Sequence, residues 1–294
     1  MSLKDKLLKA LDGVSGTYGV AVKHLGTGET ACINEKELFQ TASACKVAIL
    51  ATLFSEAEKG HLSLDSRLRL AADDLVPGSG VLQKFDAGVE LSVKDLATMM
   101  IIVSDNLATD KILEMIGKDK VNQLTKELGL AGMHLEHSIW DLLSLYVDLD
   151  PKSKSVESYA ELEELVEGTA DHSGSSIFDM SRKNNVSTPY EMNELLEKMA
   201  KKTLVSEDAS EKMIDILKSQ QFGHRLPHLL PDGVEVANKT GTIGSVVNDA
   251  GIVYMADHQG CFVITVLSRD NATHIEGEET IARLSKTAYD HFTA

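Results

Sequence analysis

Strand-forming sequence in this chain is confined to its two ends. Residues 16–34, GTYGVAVKHLGTGETACIN, carry β-branched and apolar residues on both sides of Gly26-Thr27-Gly28, the pattern of two strands joined as a hairpin. From Gly233 onward the same character returns in GVEVANKT, VVNDAGIVYMA and CFVITVLS, with DHQG marking a turn between the last two. From Ser43 to about Gln220 the pattern is helical. ACKVAILATLFSEAEKG ends in Lys59 and Gly60, a basic last turn with a glycine stop. Thr188, Pro189 and Glu191 combine a capping box with proline at the first helical position, and Ser206 offers a cap before acidic residues. MSLKDKLLKALDGVSG reads as a first helix ending at Gly13, and EETIARLSKTAYDHF as a closing one. The expected fold is therefore α/β plus all-α. One antiparallel sheet with flanking helices is built from both termini (1–42 with 221–294), and an all-helical subdomain (43–220) is inserted between them. A site is expected in the cleft between the two. Residues 150–187 start with Pro151 and a Lys/Ser run, pass through an acidic helix-like patch and end in a Gly/Ser stretch; they read as a long surface excursion.

Composition narrows the partners. Of the 294 residues 43% are hydrophobic and the formal net charge is −16, so a nucleic-acid partner is disfavoured and anionic membranes would repel the chain. No run of about 18 apolar residues exists to span a bilayer. The N-terminus has no apolar signal core; the expectation is a cytoplasmic protein if Met1 is the native start, or an extracytoplasmic one whose leader has been removed. Cys32, Cys45 and Cys261 lie far apart, without disulfide or zinc spacing, and read as small buried hydrophobes. His134 and His137 in HLEH match no zinc-helix motif and lack a clear third ligand, so neither metal nor organic cofactor is expected.

Three short stretches carry polar residues of catalytic type. In FQTASACKVAIL, Ser43 precedes Lys46 by three residues at the apparent start of an apolar helix. A serine hydroxyl needs a base to become a nucleophile. Residues three apart share a helix face, and a lysine desolvated among apolar neighbours has an accessible neutral amine. A helix N-terminus also directs backbone N–H groups at a developing oxyanion. Cys45 points elsewhere and has no histidine partner, so it is not expected to be the nucleophile. In VSDNLAT, Ser104 and Asn106 can project from one interhelical loop into a cleft, while Ser104 or Asp105 can equally cap the next helix. In NKTGTIGS, Lys239 and Thr240 end a strand at Gly241, where a ligand could approach closely.

Taken together and in this order, Ser-x-x-Lys, Ser-Asp-Asn and Lys-Thr-Gly form the motif set of penicillin-binding proteins and class A β-lactamases. The chain resembles that family over nearly its whole length, including STPYEM before a helix and LPDGVEVANKTGT leading into NDAGIV. The resemblance implies Ser43 as the acylated nucleophile, Lys46 as its proton acceptor and Ser104 as a relay to the leaving nitrogen. It implies Asn106 as holder of the substrate's amide side chain, Lys239 and Thr240 as binders of its carboxylate, and an oxyanion between the N–H groups of Ser43 and Thr242. Arg225 falls where some members place a second carboxylate-binding arginine. The implied substrate is a β-lactam or a peptidoglycan-like acyl compound; D-Ala-D-Ala peptidase-like, esterase or non-turnover sensing activities are the alternatives on the same scaffold.

The resemblance breaks at one motif. The Glu-x-x-Leu-Asn that activates the deacylating water corresponds to a stretch aligned on Leu128-Gly129 and Leu135-Glu136-His137. There the glutamate position falls on Ile139 and the asparagine position on Leu143. Asp141 is the nearest candidate substitute, and Asp171 or a glutamate between 157 and 167 would have to reach in from the excursion. Acylation with slow release is the expectation.

Overall fold

The computed structural model describes residues 1–256 and 260–294. Of the expected DHQG turn, Asp257, His258 and Gln259 lie outside the described residues. The chain opens with α1 (Leu3–Ala10), started by a capping box in which Ser2 and Asp5 each accept from the other's backbone N–H. The hairpin β1 (Thr17–His24) and β2 (Thr30–Ile33) follows. A short β3 (Phe39–Gln40) leads through a 3-10 turn (Ala42–Cys45) into α2 (Lys46–Glu58). The middle supplies β4 (Arg67–Arg69), β5 (Glu90–Ser92), α3 (Val93–Ile102), α4 (Asn106–Ile116), α5 (Lys118–Glu127), α6 (Ile139–Tyr146), α7 (Val156–Glu167), β6 (Val186–Ser187), α8 (Pro189–Ala200) and α9 (Glu207–Lys218). The chain closes with β7 (Glu235–Ile243), β8 (Val246–Tyr254), β9 (Cys261–Arg269) and α10 (His274–Phe292).

Five strands pair antiparallel in the order β2-β1-β9-β8-β7, so the two ends of the chain meet in one sheet, with Val20 opposite Val266. Alternate residues face opposite sides. Val20, Val22, Phe262 and Ile264 meet Leu3 and Leu7 of α1 and Ile281 and Leu284 of α10. On the other side Ala237, Ile252 and Val263 join the core of the helical lobe. Both faces of the central strands are covered, which is why VVNDAGIVY reads as a nearly continuous run. Every residue of α2 from Lys46 to Glu56 is buried, the state of a helix apolar all round. No helix among the described residues is long and apolar enough to cross a membrane.

The helical middle departs from expectation in two places. It contains the strands β4, β5 and β6, β4 pairing with β5 and β6 with β3 just before it, each too short to leave a period-2 signature. The β3–β6 pair ties the end of the excursion to the entrance of α2, and Thr41 N–H donates to the Asn185 carbonyl at 2.9 Å beside it. The excursion itself is folded. Tyr159 and Leu162 of α7 and Ile177 share a third apolar cluster with Ala42, Ile139, Trp140, Leu143 and Val246.

Asp110 of α4 organises this region. Its buried carboxylate accepts from the N–H groups of Ile139 (2.7 Å) and Trp140 (3.0 Å), and Lys154 of the excursion pairs with it at 3.1 Å. Burial pushes this carboxyl up, against the pull of Lys154 and the two donors. Replacing Asp110 by Ala strands two N–H groups at once and leaves Lys154 with only its exposed partner Glu114. A loss of ~3 kcal/mol in unfolding free energy is expected, read from the urea midpoint, with Asp110→Asn losing less; an unchanged midpoint would show that the carboxylate does not anchor α6.

Candidate active site

Ser43 sits on the 3-10 turn rather than on α2, whose α-helical hydrogen bonding starts only at Lys46. The expected helical i, i+3 contact is replaced by a different one. No hydrogen bond joins Ser43 to Lys46 in the described structure. The fully buried Lys46 amine instead donates to the Ser104 carbonyl at 2.7 Å, the Ser104 hydroxyl at 3.1 Å and Asn106 Oδ1 at 2.9 Å. Three acceptors match the three donors of an ammonium. Burial opposes that charge and lowers the pKa to about 8, with Cys45, Asp105 and Asp110 pulling the other way. Cys45 is buried and its thiol is pushed up to about 11 by burial, which removes it as a nucleophile at neutral pH.

Ser104 and Asn106 flank the start of α4, and the intervening Asp105 caps that helix by accepting from Ala108 N–H at 2.9 Å. Asp105 also accepts from Val81 and Leu82 N–H at 2.7 and 2.9 Å, which fixes the loop Pro77-Gly78-Ser79-Gly80 over the site. Both readings of the Ser-Asp-Asn stretch are realised at once, capping by Asp105 and projection into the cleft by its neighbours. The Asn106 amide is engaged at both ends, since its Nδ2 donates to the Pro77 carbonyl at 2.8 Å.

Strand β7 forms the opposite wall. Lys239 is fully buried, donates to the Thr240 carbonyl at 2.7 Å, and has its pKa well lowered by burial and then by Lys46. Gly241 serves a closer approach than a ligand's. A Cβ there would stand 2.6 Å from the Thr41 carbonyl oxygen, 2.8 Å from Ala44 N and 3.0 Å from Ser43 N, so the glycine lets β7 touch the backbone that carries Ser43. Arg225 is 6% exposed, unlike an arginine on a surface turn. Its guanidinium donates to the Gly241 and Asn248 carbonyls at 3.0 and 2.6 Å and to Thr242 Oγ1 at 2.5 Å, and pairs with Glu278 at 3.2 Å. It joins β7 to β8 while adding positive charge to the cleft wall. Beneath it Asp249 accepts from Asn238 Nδ2 and, at 3.1 Å, from Leu226 N–H; burial raises this carboxyl to about 6.

The cleft has two arms that share Ser43. One is lined by Ser104, Arg225, Thr240, Gly241, Thr242 and Glu278. The other is lined by Asn106, Ile139, Leu143, Tyr146, Val166 and Ile243, among others. Ser43, Ser104, Asn106, Thr240, Gly241, Thr242 and Arg225 are thus brought together, with the Lys46 amine hydrogen-bonded directly behind Ser104. Lys239 lies under Thr240. Asp141 is not brought in: it lines neither arm, while Ile139, Leu142 and Leu143 of the same helix line the second. Asp171 lines neither arm; its carboxylate accepts from Ser173 N–H. His134 pairs with Glu136, and His137 lies 2.8 Å from the Lys183 carbonyl. Sequence reasoning missed Ser79, which lines both arms, and Glu278, His224 and Phe222 on the polar side. Pro-Gly-Ser-Gly was the available signal for Ser79, since Gly78 and Gly80 have φ of 84° and 118°.

A model described as the β-lactamase enzyme family matches residues 2–292. β-Lactamase VEB-1 of Pseudomonas aeruginosa is 23% identical over 299 residues, covering 98% of this chain and 89% of the relative. A β-lactamase structure from Sphaerobacter thermophilus superposes with a TM-score of 0.79 at 24% identity, covering 99% of this chain and 97% of the other. A single-residue variant of PBP-A, solved as its acyl-enzyme complex with penicillin G, gives a TM-score of 0.78 at 24% identity, covering 99% and 96%. These two solved structures establish the β-lactamase/transpeptidase-like fold. With the family model spanning almost every residue of a sheet-and-helix fold that gathers the three motifs around one cleft, the chain belongs to the β-lactamase enzyme family and is a serine hydrolase of β-lactamase type.

Proposed function

We propose that Ser43 is acylated by β-lactams or related acyl compounds and that release of the acyl group is slow. The observation that carries the reading is that Ser43 shares a cleft arm with Ser104, whose hydroxyl accepts from the buried, destabilised Lys46 ammonium, and borders a second arm whose described lining holds no carboxylate.

Ser43 Oγ attacks the lactam carbonyl carbon. The Ser43 proton passes toward the Lys46 amine, whose ordinary affinity for it is reduced by burial, and the Ser104 hydroxyl carries a proton on to the leaving nitrogen as the carbon–nitrogen bond breaks. The N–H groups of Ser43 and Thr242 are the intended oxyanion donors. Lys239, Thr240 and Arg225 supply the positive wall for the substrate carboxylate, and a bound carboxylate restores to Lys239 the charge that burial disfavours. Deacylation needs a second, oriented water. Ile139 and Leu143 stand on the cleft wall at the positions where the family resemblance puts glutamate and asparagine, and neither side chain hydrogen-bonds water.

Three outcomes are expected. Incubation with penicillin G adds the mass of the intact antibiotic to the wild type and not to Ser43→Ala, and the adduct persists on the scale of minutes to hours in intact-mass spectra. Absence of an adduct together with absence of hydrolysis would overturn the reading. The acylation rate rises about tenfold per pH unit below pH 8 and levels off above it, because the base is the neutral amine of a lysine with pKa about 8; a flat stopped-flow profile between pH 6 and 8 would remove Lys46 from that role. The double variant Ile139→Glu, Leu143→Asn speeds adduct decay by ~100-fold if its glutamate engages a water as general base, and decay at the wild-type rate would show that these two positions do not limit release.

A further inference from the structure

The polar arm is less positive than its arginine suggests. Arg225 is accompanied in the described lining by one carboxylate, Glu278, and by no other lysine, arginine, aspartate or glutamate, so the two formal charges cancel. A guanidinium has five N–H donors, and here all five are engaged within the fold. Nη1 donates to the Gly241 and Asn248 carbonyls at 3.0 and 2.6 Å, Nη2 to Thr242 Oγ1 and Glu278 Oε1 at 2.5 and 3.2 Å, and Nε to Glu278 Oε1 at 3.2 Å. Arg225 therefore contributes charge but no free donor, and hydrogen bonding to a substrate carboxylate is left to Thr240, with Lys239 under it. Both contacts to Glu278 use Oε1, and its Oε2 has no hydrogen-bond partner among the described residues. The Glu278 side chain is 31% exposed against 8% for Arg225, so the anion is the member of the pair that reaches the open cleft. Phe222 lines the same arm and is itself 41% exposed. Its backbone is held: the Phe222 N–H donates to Gln220 Oε1 at 3.1 Å, and Gln220 Nε2 donates to the Ile101 carbonyl of α3 at 3.0 Å.

Resting on the acyl-enzyme reading above, we infer that the leaving portion of the substrate carries a positive charge beside its carboxylate, and that Glu278 Oε2 and the Phe222 ring receive it. Ser104 assigns the leaving side to this arm: as carrier of the proton to the leaving nitrogen, it lines this arm and not the other. A carboxylate oxygen attracts an ammonium, pyridinium or quaternary nitrogen by its charge, and an aromatic face attracts it by its quadrupole. The chain's net charge of −16 adds a field of the same sign at longer range. Arg225 opposes it only with a guanidinium already facing two carbonyls, a hydroxyl and the carboxylate itself. The substrate class is then an acyl compound with a zwitterionic leaving group, its carboxylate at Thr240 and its cation at Glu278. The covalent step is unchanged by this pairing. The Ser43 oxygen–carbon bond forms, the carbonyl carbon–nitrogen bond breaks, and the Ser43 proton ends on that nitrogen, so no further reactant is required.

The test compares three cephems that share a thienylacetyl side chain and carry pyridiniummethyl, benzyl or para-carboxybenzyl on the ring carbon next to the carboxylate. The second-order acylation rate is read by intact-mass spectrometry at about pH 8, above the ordinary imidazole range, because His224 also lines the arm. The cationic member is expected to acylate Ser43 about fivefold faster than its neutral benzyl match, and the anionic member more slowly than both. Glu278→Gln lowers the pyridiniummethyl-to-benzyl ratio about threefold. Should that variant fail to fold, Phe222→Leu, at an exposed position, lowers it about twofold. Adducts that form with a wild-type ratio at or below one, with the anionic member at or above the neutral one, or with a ratio unmoved in the folded variant overturn the cation assignment and leave the acyl-enzyme reading standing. No adduct with any of the three overturns both.

Discussion

The arrangement rests on a lysine amine placed where water cannot reach it. Lys46 is the first residue of a helix buried on every side, and its charge is opposed by the same apolar packing that makes α2 the centre of the helical lobe. A pKa brought to about 8 represents roughly 3 kcal/mol against the ammonium. The cost is tolerated because Ser104 and Asn106 supply three acceptors from the start of α4. Helix α4 is thereby pinned to α2 at the point where both meet the cleft. Moving either helix would leave a buried amine without partners, an expensive state for any fold.

The sheet is keyed to the same point from the other side. Close contact between Gly241 and the backbone of Thr41, Ser43 and Ala44 fixes β7 against the 3-10 turn, and Arg225 clamps β7 to β8 behind it. The two lobes thus meet through backbone, which varies less in position than side chains do. This explains how a site gathered from residues nearly two hundred positions apart keeps a single geometry.

Much of this was legible in the sequence. The terminal strands, the caps at Thr188 and Ser206 and the apolar run of α2 announced their elements because local chemistry and tertiary packing agree there. The three motifs also named Ser43, Ser104, Thr240 and Gly241, four of the ten residues that line the polar arm. What stayed hidden depended on distance. The contact partner of Lys46 was expected to be Ser43, three residues away, and proved to be Ser104, fifty-eight positions on, because the 3-10 turn changes the direction in which Ser43 leaves the chain. Gly241 looked like room for a ligand and is room for the protein's own backbone. Arg225 carried no sign of its burial, since its partners Asn248 and Glu278 come from later elements. The excursion looked irregular because its apolar residues are sparse, and only the assembled cluster with Ile139 and Val246 shows what they cover.

Ser104 holds Lys46 twice, once through its hydroxyl and once through its carbonyl, and the residue is in the left-handed region with φ 56°. That backbone turn, disfavoured for most side chains and easiest for glycine or asparagine, is what aims the carbonyl at the amine. The structural grip on the lysine therefore belongs to the main chain, and the hydroxyl is the part that side-chain substitution can alter. A lineage of such proteins could exchange the proton relay at this position without releasing the lysine, so the scaffold permits loss or change of chemistry while the architecture of the cleft persists.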